Sequence, residues 1–300
     1  MAEHAGLYTV HRIIERCRVS DIRSAGHTAG GGACTCMFDI RHTQSFAYTR
    51  PMPSPDENRL LNALPLADME RLFPHLKLVN LPLGSVLYES GDPQRYIYFP
   101  IDAIVSLLYV LKDGASAEIA VVGNDGAIGV ALIMGGAAMM NRAIVQSGGR
   151  AYRLTRKRIE QEFARHGEML HVLLRYTQAL ITQMAQTAVC NRHHTVDQQL
   201  CRWLLLSLDR LSSNKLVMTQ ELIANMLGVR REGVTEAAGK LQKAGVIEYR
   251  RGKITVLDRS RLEEMSCECY GVVRAETDRL LPERPAENGL IRLARAGSRS

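Results

Sequence analysis

Aromatic side chains are scarce in this 300-residue chain: five Phe, ten Tyr and a single Trp make up 5% of it. Its cores must therefore be packed chiefly with aliphatic residues, which an apolar content of 46% supplies. Also missing is any run near the roughly 18 to 20 consecutive apolar residues that span a bilayer. The N-terminus carries no apolar stretch of the secretory kind, so the sequence reads as cytoplasmic, with no membrane partner. The seven cysteines are odd in number and follow no small-scaffold spacing, which suits reduced thiols better than a disulfide framework. No phosphate-cradling glycine loop, nucleophile and base pairing or paired-carboxylate pattern is present, so no catalytic residue is assigned and an enzyme is disfavoured.

Candidate metal ligands are dispersed. Cys17, Cys34 and Cys36 lie early, Cys267 and Cys269 lie late, and Cys190 precedes His193 and His194. A protein metal site needs about four converging donors. The sequence displays no such set, so neither a metal nor another cofactor is expected. Cys190 and Cys201 read as helix-packing thiols, and the histidine pair as a junction between helices.

What the chain does have is positive charge: a formal net charge of +7 and a pI near 9.1. That favours polyanionic partners such as nucleic acid, a bias shared by ribosome-associated and membrane-surface proteins. The length suits two folded domains with appendages. Residues 1–57, with "HTAGGGACTC" and the proline-broken "TRPMPSPDEN", predict an N-terminal extension of little order. Residues 58–166 predict two short helices divided near Pro65 and then a β-roll. Its short β-branched and aromatic runs are punctuated at Leu83-Gly84, Gly91-Asp92-Pro93, Asp113-Gly114 and Asn124-Asp125-Gly126. Thr155 is placed to cap a short helix, and residues 167–194 form a long one.

On that long helix Leu173, Tyr176 and Leu180, with Met184, make one apolar stripe. Leu170, Leu174, Ile181 and Ala188 make the next. So wide a face exceeds what one neighbour covers. One stripe is expected to pack on the roll and the other to meet a partner helix. Leu173, Tyr176, Leu180 and Met184 are assigned to the homodimer contact; a helix buried wholly in its own monomer is the alternative.

Residues 195–275 carry the densest signal, followed by a tail over 276–300. In "TQELIANMLGVRREGVTEAAGKLQKAGVI", Thr219 is a natural N-cap, and Leu222, Ile223, Met226 and Leu227 give a first helix its buried face. Gly228 supplies a left-handed turn, and Val234, Ala237, Ala238 and Leu241 recur at helical spacing in a second helix. "VIEYRRGKITV" reads as a hairpin around Arg251-Gly252. Between Thr195 and Arg261 twelve Lys or Arg face seven Asp or Glu, so positive charge concentrates here. Arginines on the first turn of a helix oppose its dipole, and Gly233 and Gly239 weaken it. DNA would offset both, through the bidentate fit of Arg to guanine, acceptance by Glu from cytosine and close backbone approach. Arg231 and Glu232 are assigned to bases, and Arg230 and Lys240 to phosphate or base. Thr235 and Glu236 flank them, Arg250, Arg251 and Lys253 of the hairpin reach phosphates, and Thr219 and Gln220 also bond phosphate.

The whole is an α+β chain with an antiparallel roll, a long helix and a winged helix-turn-helix. In this it resembles the Crp/Fnr family of bacterial transcription regulators over roughly residues 58–272. The resemblance implies a homodimer, double-stranded DNA and RNA polymerase as partners, a cyclic-nucleotide-binding-like roll and a small-molecule effector. The family's Arg-Glu pair corresponds to Arg231 and Glu232; a further base-reading arginine of the catabolite activator type is Glu236 here, so the preferred operator should differ. Where cyclic-nucleotide binders carry Gly-Glu and Arg-Ser or Arg-Thr, this chain has Gly129-Val130 and Asn141-Arg142-Ala143. Valine cannot accept a ribose hydroxyl proton, so these five mark an effector pocket that is not expected to take a cyclic nucleotide. Two other readings stay open: an effector-binding or enzyme-regulatory subunit with an accessory basic region, and a nonspecific architectural DNA binder.

Overall fold

The computed structural model describes residues 53–282, so nearly all of the extension expected over 1–57 and most of the tail after 276 lie outside the described residues. A 3-10 turn at Pro55–Glu57 leads into α1 (Arg59–Asn62) and α2 (Leu66–Leu72), which break at Pro65 as expected. Asn58 caps α1: its Oδ1 accepts from the Leu60 N–H at 3.1 Å, while its Nδ2 donates to the carbonyls of Pro100 at 2.9 Å and Gly126 at 3.0 Å. Both ends of this fully buried amide are therefore satisfied.

Seven strands follow: β1 (Lys77–Leu81), β2 (Val86–Tyr88), β3 (Tyr96–Pro100), β4 (Ile104–Val110), β5 (Ser116–Val122), β6 (Arg142–Ser147) and β7 (Gly149–Thr155). They form two antiparallel sheets in the orders β1-β7-β3 and β2-β6-β4-β5. Reversals fall on Gly84, Gly91 and Gly114, all at positive φ, at the predicted punctuation. The first five residues of β4 are all buried, because its two faces serve two cores. Val105 and Leu107 join the core of the roll, whereas Ile104 and Leu108, with Val121 of β5, join that of the C-terminal half. A strand covered on both sides reads as a near-continuous apolar run, and "IVSLLYV" does.

Thr155 precedes α3 (Arg156–Phe163) with extended backbone, yet its side chain makes no capping bond, contrary to expectation. Helix α4 (Glu168–His193) then runs 26 residues. Leu173, Tyr176 and Leu180 are buried in the chain's own roll core with Met184 packed beside them, and the Tyr176 hydroxyl donates to the Ala127 carbonyl at 2.8 Å. The stripe assigned to a partner therefore faces home. The adjoining stripe is the open one: Leu174 is 50% exposed and Ile181 53%, and Ala188 is exposed as well. Helical periodicity separates two stripes but carries no sign of which one meets the roll.

The rest comprises α5 (Val196–Leu208), β8 (Lys215–Val217), α6 (Gln220–Leu227), α7 (Arg231–Lys243), β9 (Ile247–Arg250), β10 (Lys253–Val256), α8 (Arg259–Met265) and α9 (Glu268–Leu280). Strand β8 has no counterpart in the sequence pattern; three residues have no readable period, and its partner is β10, in a sheet ordered β8-β10-β9. Helix α9 runs through the boundary expected between 275 and 276. It packs against α4, and Leu280 and Leu281 reach the core of the roll.

Roll and C-terminal half meet across β4, β5 and α5. Ser106 donates to Gln146 at 2.8 Å, and Gln146 donates to Ser207 of α5 at 3.2 Å. Glu118 is buried in the same interface with one carboxylate oxygen unpartnered. Burial pushes its carboxyl from 4.5 up to about 7, against the opposing pull of Ser106, Arg202 and Arg210. Because the folded value lies above the unfolded one, folding takes up a proton. The stability tied to this site is complete below about pH 4.5 and is lost as pH rises through about 7. We expect Glu118→Gln to flatten the pH dependence of unfolding. It should gain on the order of 3 kcal/mol over the parent at pH 8 and little at pH 4.5, as measured by urea unfolding across that range.

Candidate nucleic-acid interface

Thr219 caps α6, its hydroxyl accepting from the Leu222 N–H at 3.3 Å. Ile223, Ala224, Met226 and Leu227 form the buried face; Leu222, expected among them, is 43% exposed. Gly228 adopts φ 66° and ψ 32°, and a Cβ there would lie 3.3 Å from that of Ala117 in β5. Both the turn and its seat on the roll thus call for glycine. In α7, Val234, Ala237, Ala238 and Leu241 are buried at the predicted spacing. Arg230, Arg231, Glu232, Thr235, Glu236 and Lys240 are exposed on the far side.

The predicted residues are brought together by specific bonds. Thr235 Oγ1 lies 2.8 Å from Gln220 Oε1, tying α7 to the start of α6. The wing folds back on the same place: the Tyr249 hydroxyl donates to the Met218 carbonyl at 2.8 Å, and a Cβ on Gly252 would sit 3.8 Å from Thr219 Cγ2. Arg250 pairs in register with Lys253, and between them Arg251 and Gly252 have φ of 48° and 74°. Two consecutive positive φ values make this the primed two-residue turn that suits a twisted hairpin. Thr219, Gln220, Thr235 and the wing tip are therefore neighbours on one surface.

Not every cation is equally available. Lys240 Nζ is 3.0 Å from Asp197 and 3.0 Å from Glu236, and these bonds, Glu236 first, raise its pKa. Arg250 bridges to Glu248 at 3.1 Å. Arg202 and Arg210 are buried, and Arg259 pairs with Asp209 and Glu263, so the charge excess counted along the sequence overstates what faces outward. Arg230, Arg231, Arg251 and Lys253 are exposed and make no ion pair among the described residues. A Cβ on Gly239 would meet nothing beyond its own helix within 4 Å and one on Gly233 only Val196 at 3.8 Å, so neither glycine is required by close packing within the chain.

None of the five residues assigned to an effector pocket lines the cavity that lies between β2 and β3 of the roll. Gly129 has φ 113° and lies so near β3 that a Cβ would meet the Tyr96 carbonyl oxygen at 2.9 Å. Val130, Asn141 and Ala143 are buried, and Arg142 is held by Glu89 at 2.8 Å. That cavity, of 370 Å³, is lined by residues including Tyr88, Asp92, Gln94, Arg95, Tyr96 and Tyr98. Gln94, a buried amide at 3% exposure, and the Tyr88 hydroxyl stand together on this lining. No run or dipeptide in the sequence singles it out.

Cys201 is buried as a packing thiol, as read from the sequence. Cys190 is not merely that. Its Sγ, those of Cys267 and Cys269 and a ring nitrogen of His194 all lie within 4.8 Å of one another. The expectation that no four donors converge is corrected here: the two pairs are joined only by the return of α9 onto α4, which no local spacing reveals.

Known proteins place these two halves. A cyclic nucleotide-binding domain matches residues 78–166 and a Crp-like helix-turn-helix domain matches residues 198–265. Among solved structures, FixK2 from Bradyrhizobium japonicum is 17% identical with a TM-score of 0.56, covering 64% of this chain and 98% of that one. TTHB099, a CRP-family transcriptional regulator from Thermus thermophilus, is 19% identical with a TM-score of 0.54, over 63% and 96%. The c-di-GMP responsive global regulator CLP from Xanthomonas campestris is 16% identical with a TM-score of 0.52, over 65% and 100%. No curated protein matches the chain. Such distant structures speak for the fold, whereas the two matched domains, in this order and joined by α4, speak for kinship: the chain belongs to the Crp/Fnr family and is a DNA-binding transcription regulator.

Proposed function

We propose that this regulator works in the cytoplasm as a homodimer, reading the two halves of a duplex operator through Arg231 and Glu232 of each α7. Arg230, Lys240 and the wing hold phosphates, and RNA polymerase is the further partner. The observation that carries the reading is a set of local costs with no return inside the chain. Arg230 caps α7 and Arg231 opens it, each opposing the helix dipole by roughly 0.3–1 kcal/mol. Arg251 occupies a left-handed conformation at about 1–2 kcal/mol, and Gly239 weakens α7 by about 1 kcal/mol where a Cβ would meet nothing outside its own helix. All lie on the helix-turn-helix and its wing. A duplex offsets them together, with guanine edges for Arg231 and phosphates for the rest.

The open stripe of α4 supports the second subunit. Leu174, Ile181 and Ala188 recur every seven residues, the spacing of a helix seam, and α9 leaves them uncovered. The roll is then a sensor of a ligand other than a cyclic nucleotide: Val130 offers no ribose acceptor, and Arg142 would have to abandon Glu89 to hold a phosphate.

Arg231→Ala should weaken binding to the preferred site by about 1–3 kcal/mol while leaving random duplex almost unaffected, as measured by fluorescence anisotropy with a site selected from genomic DNA. Affinity indifferent to sequence in the parent protein would instead indicate an architectural binder. Arg251→Asn should raise the melting temperature, since Asn tolerates the turn, yet weaken DNA binding and shrink its salt dependence by about one phosphate. Ile181→Lys should shift the protein to monomers in sedimentation velocity and weaken full-operator binding more than half-site binding.

A further inference from the structure

Away from the DNA-reading surface, the end of α4 meets the start of α9. Cys190 lies in the last turn of α4 and His194 caps it; Cys267 caps α9 and Cys269 is in its first turn. Neither matched domain, 78–166 or 198–265, includes any of the four. Cys190 is 0% exposed, Cys267 4% and Cys269 1%, and no other buried residues belong to this small cluster.

The distances are those of ligands around one ion. Tetrahedral zinc, with Zn–S near 2.3 Å and Zn–N near 2.0–2.1 Å, sets S···S edges of about 3.8 Å and S···N edges of about 3.6 Å. Here Cys190 Sγ and Cys267 Sγ are 3.5 Å apart, and Cys269 Sγ is 3.5 Å from His194 Nδ1. With every pair inside 4.8 Å, one ion fits between the donors, whereas ligands on opposite irons of a binuclear cluster would stand farther apart.

The surroundings support the same occupant. His194 turns Nδ1 inward, while its Nε2 is 3.4 Å from the Glu268 carboxylate, the outer partner that orients a metal-bound imidazole. Gln199 donates to the carbonyl oxygens of Cys190 at 3.4 Å and His194 at 2.9 Å, fixing the end of α4 that carries both ligands. Cys267 sits at the N-terminus of α9, where the helix dipole favours an anionic ligand. The buried guanidinium of Arg202, which donates to Thr187 at 3.2 Å one turn before Cys190, supplies a positive charge that balances the single negative charge of three thiolates around a divalent ion.

We propose that Cys190, His194, Cys267 and Cys269 bind one zinc ion in a closed, tetrahedral structural site that staples α9 to the end of α4. The three cysteines bind as thiolates, releasing their protons to solvent, and His194 binds as neutral imidazole through Nδ1. The role is structural because four protein donors leave no open position. What the staple holds is the path from the DNA-binding half back to the roll, since α9 continues to the core contacts of Leu280 and Leu281.

The test uses the full chain, purified without chelator. Mass-spectrometric metal analysis should find about one zinc per chain. Cobalt added to the metal-free protein should give the visible bands of a tetrahedral ion with thiolate charge transfer in the near ultraviolet. Cys269→Ser and His194→Gln should lose most of the zinc affinity measured against a chelating dye, whereas Cys201→Ser keeps it. Should the ligand variants fail to fold, Glu268→Gln, altering only an exposed outer partner, should still lower affinity about tenfold. Metal-free protein that gives no cobalt spectrum overturns the proposal. So do a Cys190–Cys267 disulfide in protein trapped with a thiol-blocking reagent, iron with acid-labile sulfide, and zinc held equally well by Cys269→Ser.

Discussion

Arg210, just beyond α5, places its guanidinium on Asp125 of the roll, with Nε 2.9 Å from one carboxylate oxygen and the terminal nitrogen 2.6 Å from the other. The side chain of Arg210 is only 4% exposed, so this is a charge taken out of water and held by a two-pronged partner. Such a pair contributes geometry more than net stability, because desolvation consumes much of the Coulomb gain while loss of one partner is severe. The turn around it is shaped to admit it. A Cβ on Gly123 would lie 2.7 Å from the Arg210 stem, and one on Gly126 would lie 2.7 Å from the Tyr176 ring. Asn124 receives the Arg59 N–H at 2.7 Å, and the Gly126 carbonyl receives Asn58. Four consecutive residues, Gly123 to Gly126, thus join the roll, α1, α4 and the DNA-binding half.

From this junction the orientation of the reading surface follows. The outer faces of β4 and β5 pack on α5, and the tip of the β4–β5 hairpin seats the Gly228 turn, so α6 and α7 are positioned by the roll as well as by their own core. The interface mixes apolar contact with Ser106, Gln146, Ser207 and the buried Glu118, and a 530 Å³ cleft lined by Asp125, Asp209, Arg210 and Arg274 runs beside it. Polar, incompletely filled contacts between domains are those that reposition at moderate cost. The DNA-reading helices, in contrast, are braced by an apolar core of Trp203, Leu204, Ile223 and Leu241, and so move as a body.

Much of this was legible in one sequence because the signals were local. Period two between glycine turns gave the roll, and period 3.6 around Gly228 gave α6 and α7. An Arg-Gly pair between apolar strands gave the wing. What stayed hidden depended on separations no pattern spans. "GNDG" reads only as a turn until Arg210, 85 residues away, is seen on it. The two stripes of α4 are equally apolar, and only the roll decides between them. Arg202 and Arg210 count as surface charge in composition but are buried in the fold. Cys190 and Cys267 are 77 residues apart and meet only because α9 doubles back. The ion pair between Arg142 and Glu89 joins residues 53 positions apart, which no local spacing announces.

Helix α9 alters how a regulator of this architecture can respond. It leaves the DNA-binding half, runs along α4 and ends in the roll, where Asp278 also meets Arg59 of α1 at 2.9 Å. The DNA-binding half is therefore held to the roll at both ends of its sequence, through α5 at one and α9 at the other. A rotation about the α4–α5 hinge alone would strain the second connection. Reorientation must either carry α9 along with α4 as one body or release it from α4, and the Cys190, His194, Cys267 and Cys269 cluster stands where that choice is made. Closely packed helices have discrete arrangements rather than a continuum. A fastener at the end of α4 consequently selects between them, and does so without touching DNA or the cavity in the roll.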